Sequence, residues 1–130
     1  MQNLAILFYK NGFNCSQCIL KAAEKKFNIS LPQEAIKMCS AINNGFGVES
    51  ICSVLVSCIM VLGLIFDAQT AKSLRIKFLN DFNLKYGSLN CPKLKALNNK
   101  NKNTNCEEII SGAANILEKI ILLNKAQKKI

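Results

Sequence analysis

Ile51-Cys52-Ser53-Val54-Leu55-Val56-Ser57-Cys58-Ile59-Met60-Val61-Leu62-Gly63-Leu64-Ile65-Phe66 is a run of 16 residues without a single charge. A helix that is apolar on every side either spans a membrane or is buried among other helices. Crossing a bilayer takes about 20 apolar residues. This run is shorter, contains Ser53 and Ser57, and follows Glu49 closely. It reads as the central, buried helix of a folded domain. The chain has 130 residues, enough for one domain to bury a core without covalent staples.

The flanks supply helices to cover it. Leu4 to Tyr9 is a short apolar run of one or two helical turns, closed by Asn11-Gly12. Asn14 is placed to cap a helix from Cys15 to about Phe27, with Ile19, Leu20, Ala23 and Phe27 on one face. Pro32 suits the first turn of a helix reaching about Asn43, with Ser30 as cap and Gln33 at the capping-box spacing. Asn43-Asn44-Gly45-Phe46-Gly47 is a turn. After the apolar run, Ala68 to Tyr86 is amphipathic, with Leu74, Phe78, Leu79 and Phe82 inward and Gly87 as its stop. Residues 97–105 read as a loop. Thr104 or Asn105 would cap a last helix from Cys106 to about Leu123, whose first turn holds Glu107 and Glu108. No strand alternation and no repeat is visible. The fold class is all-α: a single-domain bundle of about five helices around 51–66. Its core covers about 11–123, and a basic tail, 124–130, frays.

The chain holds seven cysteines and no histidine. Without histidine, the usual general base, zinc nitrogen ligand and haem ligand are all missing. Special chemistry here is thiol chemistry. The acidic residues are few and scattered, so paired-carboxylate catalysis has no site. The net charge is +9 with a pI near 9.3. Arg75 is the sole arginine, and no aromatic residues interleave with the lysines. The charge reads as a solvated basic surface rather than a nucleic-acid or membrane face. The N-terminus shows no basic segment and no cleavage site, so the expectation is a reducing cytoplasm with reduced thiols.

Cys15 sits just after a helix cap, where exposed N–H groups and the helix dipole stabilise a thiolate. Cys18 lies three residues on, sharing its face. Cys52 and Cys106 also begin helices, and Cys91 lies in a turn before Pro92. Four cysteines at element starts can meet at one end of a bundle. Cys39 and Cys58 lie on apolar helical faces and read as small buried hydrophobes.

The order Gly12-Phe13-Asn14-Cys15-Ser16-Gln17, then Asn44-Gly45-Phe46-Gly47 and Ile51-Cys52-Ser53-Val54-Leu55-Val56, then Tyr86-Gly87-Ser88-Leu89-Asn90-Cys91-Pro92 and Cys106, resembles the C_GCAxxG_C_C family of small redox-active proteins. The resemblance covers about residues 11–120. It implies that Cys15, Cys52, Cys91 and Cys106 are the family's four cysteines, and that Cys18, Cys39 and Cys58 are extras of this chain. The GCAxxG block departs from the pattern: Ile51 and Val56 replace its glycines, and Ser53 replaces its alanine. Bulk at the glycine positions closes the room for a cofactor against this helix.

Three functions follow as expectations. In the first, four cysteines serve redox or metal chemistry. In the redox version Cys15 attacks and Cys18 or Cys52 resolves. In the metal version Cys15, Cys52, Cys91 and Cys106 hold zinc or an iron–sulfur cluster as thiolates. The second is a non-catalytic helical binding module with structural cysteines. The third is a membrane-associated accessory of a transporter that inserts 51–66. The partner is a redox or other protein of unstated identity, or a second copy across the apolar helix.

Overall fold

A computed structural model describes residues 1–48, 50–90 and 106–128. Among these, six α-helices and one short 3₁₀ segment are present and no strand. They are α1 (Gln2–Lys10), α2 (Cys15–Lys26), α3 (Gln33–Lys37), the 3₁₀ segment Asn44–Gly47, α4 (Ser53–Ile65), α5 (Ala68–Tyr86) and α6 (Glu107–Lys128). The all-α expectation holds. Glu49, Cys91, the 97–105 loop and the caps Thr104 and Asn105 lie outside the described residues.

α2 begins where Asn14 predicts. The Asn14 side-chain oxygen accepts from the N–H groups of Ser16 and Gln17, and the Gln17 side chain accepts from the Asn14 N–H at 3.1 Å. This reciprocal box satisfies amides that the helix start would otherwise strand. α5 begins with the Asp67 carboxylate accepting from Thr70 N–H at 2.9 Å, and it ends at Gly87, whose φ of 77° is left-handed. Glycine is the residue that adopts such a φ without Cβ strain.

Two expectations need correction. The helix at Pro32 does not reach Asn43, and Ser30 does not cap it. Pro32 is itself the N-cap, without a side-chain cap bond, and the helix ends at Lys37. Beyond it the chain tightens into short-range turns, Cys39 N–H to Ile36 O and Ser40 N–H to Lys37 O. The reason is a competing partner. Asn14 Nδ2 donates to the carbonyls of Cys39 at 2.9 Å and Ser40 at 3.3 Å, and Ser16 Oγ donates to the Cys39 carbonyl. The Cys39 carbonyl accepts Ile42 N–H at 3.0 Å as well, so α2 holds this segment as successive tight turns. The last helix also runs to Lys128 instead of ending near Leu123 and fraying.

α4 is the central helix. It packs on α2, α5 and α6, while α1 packs on α2 and α6. Leu55, Val61 and Leu62 of α4, Phe78 and Phe82 of α5, Ile110 and Leu117 of α6 and Ile19 of α2 are fully buried. Each such side chain contributes about 1.5–3 kcal/mol on leaving water. Burial of α4 is not complete on every side: Met60, Gly63 and Leu64 are exposed along one stripe. No described helix is long and apolar enough to cross a membrane.

Candidate functional site

Three of the cysteines expected at element starts stand there. Cys15 is the first residue of α2, Cys52 is the N-cap of α4, and Cys106 directly precedes α6. Cys91 lies outside the described residues. Ile51 and Asn90 form an antiparallel bridge, and Cys52 N–H donates to Leu89 O at 2.8 Å.

Cys15 is partly exposed and Cys18 is fully buried. The Cys18 thiol donates back along the helix to the Cys15 carbonyl at 3.2 Å. Side chains on a helix lean toward its N-terminus, which brings this sulfur under the preceding turn. Burial pushes the Cys18 thiol up to about 12, and the adjacent Cys15 adds to the rise, with a smaller push from Cys106. Tyr9, from the last turn of α1, stands among the same groups. Its phenol is pushed up by burial first, then by Cys106, Cys15, Cys18 and Glu107. So α1, α2 and α6 bring Tyr9, Cys15, Cys18 and Cys106 into one electrostatic neighbourhood.

Cys52 stands within electrostatic reach of Cys58, which Cys18 reaches as well. Complete burial drives the Cys58 thiol well above its ordinary range, with Cys52 and then Cys18 adding to it. Cys39 is buried beside α3, where its thiol donates to Ala35 O at 3.7 Å, and burial raises it while the Ser16 hydroxyl pulls the other way. Cys39 and Cys58 are the core residues that their apolar faces predict. Among the described residues no three Cys, Asp or Glu side chains stand as a metal-holding group.

Two residues were not flagged for chemistry by their sequence. Tyr9 carries no local signal, because only the packing of α1 on two later helices brings it to the thiols. Ser53 was visible as a departure from the alanine of the GCAxxG block. The structure makes it a chemical question, because its hydroxyl is buried without a hydrogen-bond partner among the described residues. The turn before α4 is strained as well: Phe46 holds a φ of 65°, unusual for a bulky residue. A groove of about 690 Å³ opens on another face of α2, between Phe13, Lys21, Leu31 and Ile36.

A helical bundle with cysteines at its helix starts, one partly exposed cysteine a turn before a buried one, defines a small all-α thiol protein. The chain belongs to the C_GCAxxG_C_C family, described as "Putative redox-active protein (C_GCAxxG_C_C)", whose model matches residues 13–120. No curated protein and no solved structure matches it.

Proposed function

We propose that the chain is a thiol–disulfide redox protein in which Cys15 attacks and Cys18 resolves. One observation carries this: the partly exposed Cys15 at a capped helix start has the buried Cys18 thiol hydrogen-bonded to its own carbonyl. Cα atoms three residues apart on an α-helix are about 5 Å from each other. A disulfide takes Cα separations of about 4.4–6.8 Å. The backbone spacing therefore suits a Cys15–Cys18 bond.

The two thiols divide the work. The positive end of the α2 dipole favours the Cys15 thiolate. The Cys15 sulfur attacks one sulfur of a partner disulfide. That S–S bond breaks, a mixed disulfide forms, and the first partner sulfur leaves as a thiol after taking a proton. Cys18 then gives up its proton and attacks the Cys15 sulfur. The second partner sulfur leaves, and Cys15 and Cys18 are joined. The partner disulfide gains two electrons and the protein pair loses two. Cys18 stays protonated until then, which keeps it from competing for substrate. Tyr9 and Cys106 border the same site.

The test is a redox titration of the full chain against glutathione, with peptide mass mapping. A Cys15–Cys18 disulfide forms at the oxidising end. Cys18→Ser leaves glutathione trapped on Cys15, and Cys15→Ser traps none. Absence of the 15–18 disulfide throughout the titration would overturn the reading.

A further inference from the structure

We propose that the groove between α2 and α3 docks a segment of the partner protein, one with acidic residues beside an apolar side chain, about three or four residues from the disulfide that Cys15 attacks. The docking role rests on the redox reading of Cys15 and gives its substrate a class: a disulfide next to an acidic stretch of protein.

The groove has a volume of about 690 Å³, within the roughly 300–1,000 Å³ that ligand clefts occupy. Its apolar floor comes from three places in the chain: Phe13 before α2, Leu31 after it and Ile36 in α3. Its cations are Lys21 and Lys37, set against the carboxylate of Glu34. Lys21 is held in place, 3.2 Å from Glu24 and over the rings of Phe8 and Phe13 at 5.6 and 5.8 Å. An ammonium has three N–H donors, and Glu24 takes one of them. A positive excess over an apolar floor complements acidic residues beside an apolar one.

A small metabolite fits less well. Clefts for such molecules fix them with precisely placed polar groups. The Gln17 amide on the α2 wall is engaged at both ends: its oxygen accepts Asn14 N–H at 3.1 Å and its nitrogen donates to Ile36 O at 3.0 Å. Lys37 and Glu34 stand exposed on α3, and long charged side chains adapt to those of a peptide.

Position along α2 links the groove to the thiol. Phe13 and Gln17 line the groove and flank Cys15 by two residues on either side. The groove lies on another face of the helix, and a helix with its side chains is about 10–12 Å across. An extended chain covers about 3.3 Å per residue, so about three or four residues carry a docked segment round the helix start to Cys15.

The experiment uses the full chain and fluorescein-labelled peptides with serine in place of the attacked cysteine, so that anisotropy reads binding without thiol chemistry. Ser-Gly-Gly-Glu-Leu-Glu is compared at low salt with Ser-Gly-Gly-Lys-Leu-Lys and Ser-Gly-Gly-Glu-Ser-Glu. The first binds about tenfold or more tighter than either control. Lys37→Glu weakens it about fivefold. Lys72→Glu, on α5, leaves its affinity at the parent value, which separates the groove from the general basic charge. Equal binding of the glutamate and lysine peptides would overturn the proposal, as would the same loss in Lys72→Glu as in Lys37→Glu. A glutathione titration without the Cys15–Cys18 disulfide would instead strike the redox reading, and the anisotropy is read independently of it.

Discussion

The Cys18 thiol is hydrogen-bonded to the carbonyl oxygen of Cys15, the residue one helical turn before it. The bond ties the buried sulfur to the backbone that carries the exposed one. With the Cys18 thiol pushed up to about 12, its thiolate fraction at pH 8 is about one in ten thousand. Cys18, Cys39 and Cys58 will therefore resist iodoacetamide in the native protein at pH 8 and react after unfolding in guanidinium. Labelling of Cys18 at the same rate before and after unfolding would contradict the burial described here.

Asn14→Ala removes an N-cap and a tie to α3 together. The cap alone is worth about 1–2 kcal/mol. Asn14→Asp keeps the acceptor for Ser16 and Gln17 but loses the donor to the Cys39 and Ser40 carbonyls. Urea unfolding should rank stability as parent, then Asn14→Asp, then Asn14→Ala.

Gly112 faces Tyr86 at close quarters. A Cβ built there runs into the Tyr86 hydroxyl and ring, and the ring cannot yield freely because Tyr86 packs against Phe82 at 4.7 Å between centroids. Gly112→Ala will lower stability by about 1–3 kcal/mol. Adding Tyr86→Leu to Gly112→Ala should recover part of that loss in the same thermal melts.

Ser53→Ala should raise stability by about 1–2 kcal/mol, because it deletes a buried hydroxyl that has no partner. Thermal unfolding of the reduced protein reads this directly.

Acid will weaken the fold through two glutamates. Burial alone would raise Glu118, but hydrogen bonds from Lys26 and the Met1 ammonium outweigh it, and the net shift is down. Glu24 is lowered chiefly by the Leu31 N–H, at 2.8 Å, with Lys21 helping. A carboxyl whose pKa is lower in the folded state stabilises fully above the unfolded value and stops doing so as pH falls through the folded one. The loss therefore sets in below about pH 4.3, the ordinary glutamate value. Glu118→Gln should shrink the difference in urea midpoint between pH 7 and pH 3.

Local signals carried most of the fold. Asn14 with Gln17, Asp67 before Ala68 and Gly87 after Tyr86 each fix a helix end through neighbours in sequence, so those ends were legible. The end of α3 was not, because the turns that follow it are tied to Asn14, far back in the chain. At the site, Cys15 and Cys18 were readable from one helix turn. That Tyr9 joins them was not, since it depends on α1 packing against helices that start 15 and 107 residues into the chain.

Asn14 serves two elements at once, closing the first turn of α2 and holding the carbonyls after α3. A side chain shared in this way makes the two segments open as one cooperative unit. Amide hydrogen exchange at Ser16 and Gln17 should then keep the same clock as exchange around Cys39 to Ile42. Whenever that clock ticks, the helix end that carries Cys15 loses its order, so the lifetime of the closed state sets how long Cys15 keeps its place at the positive end of the dipole.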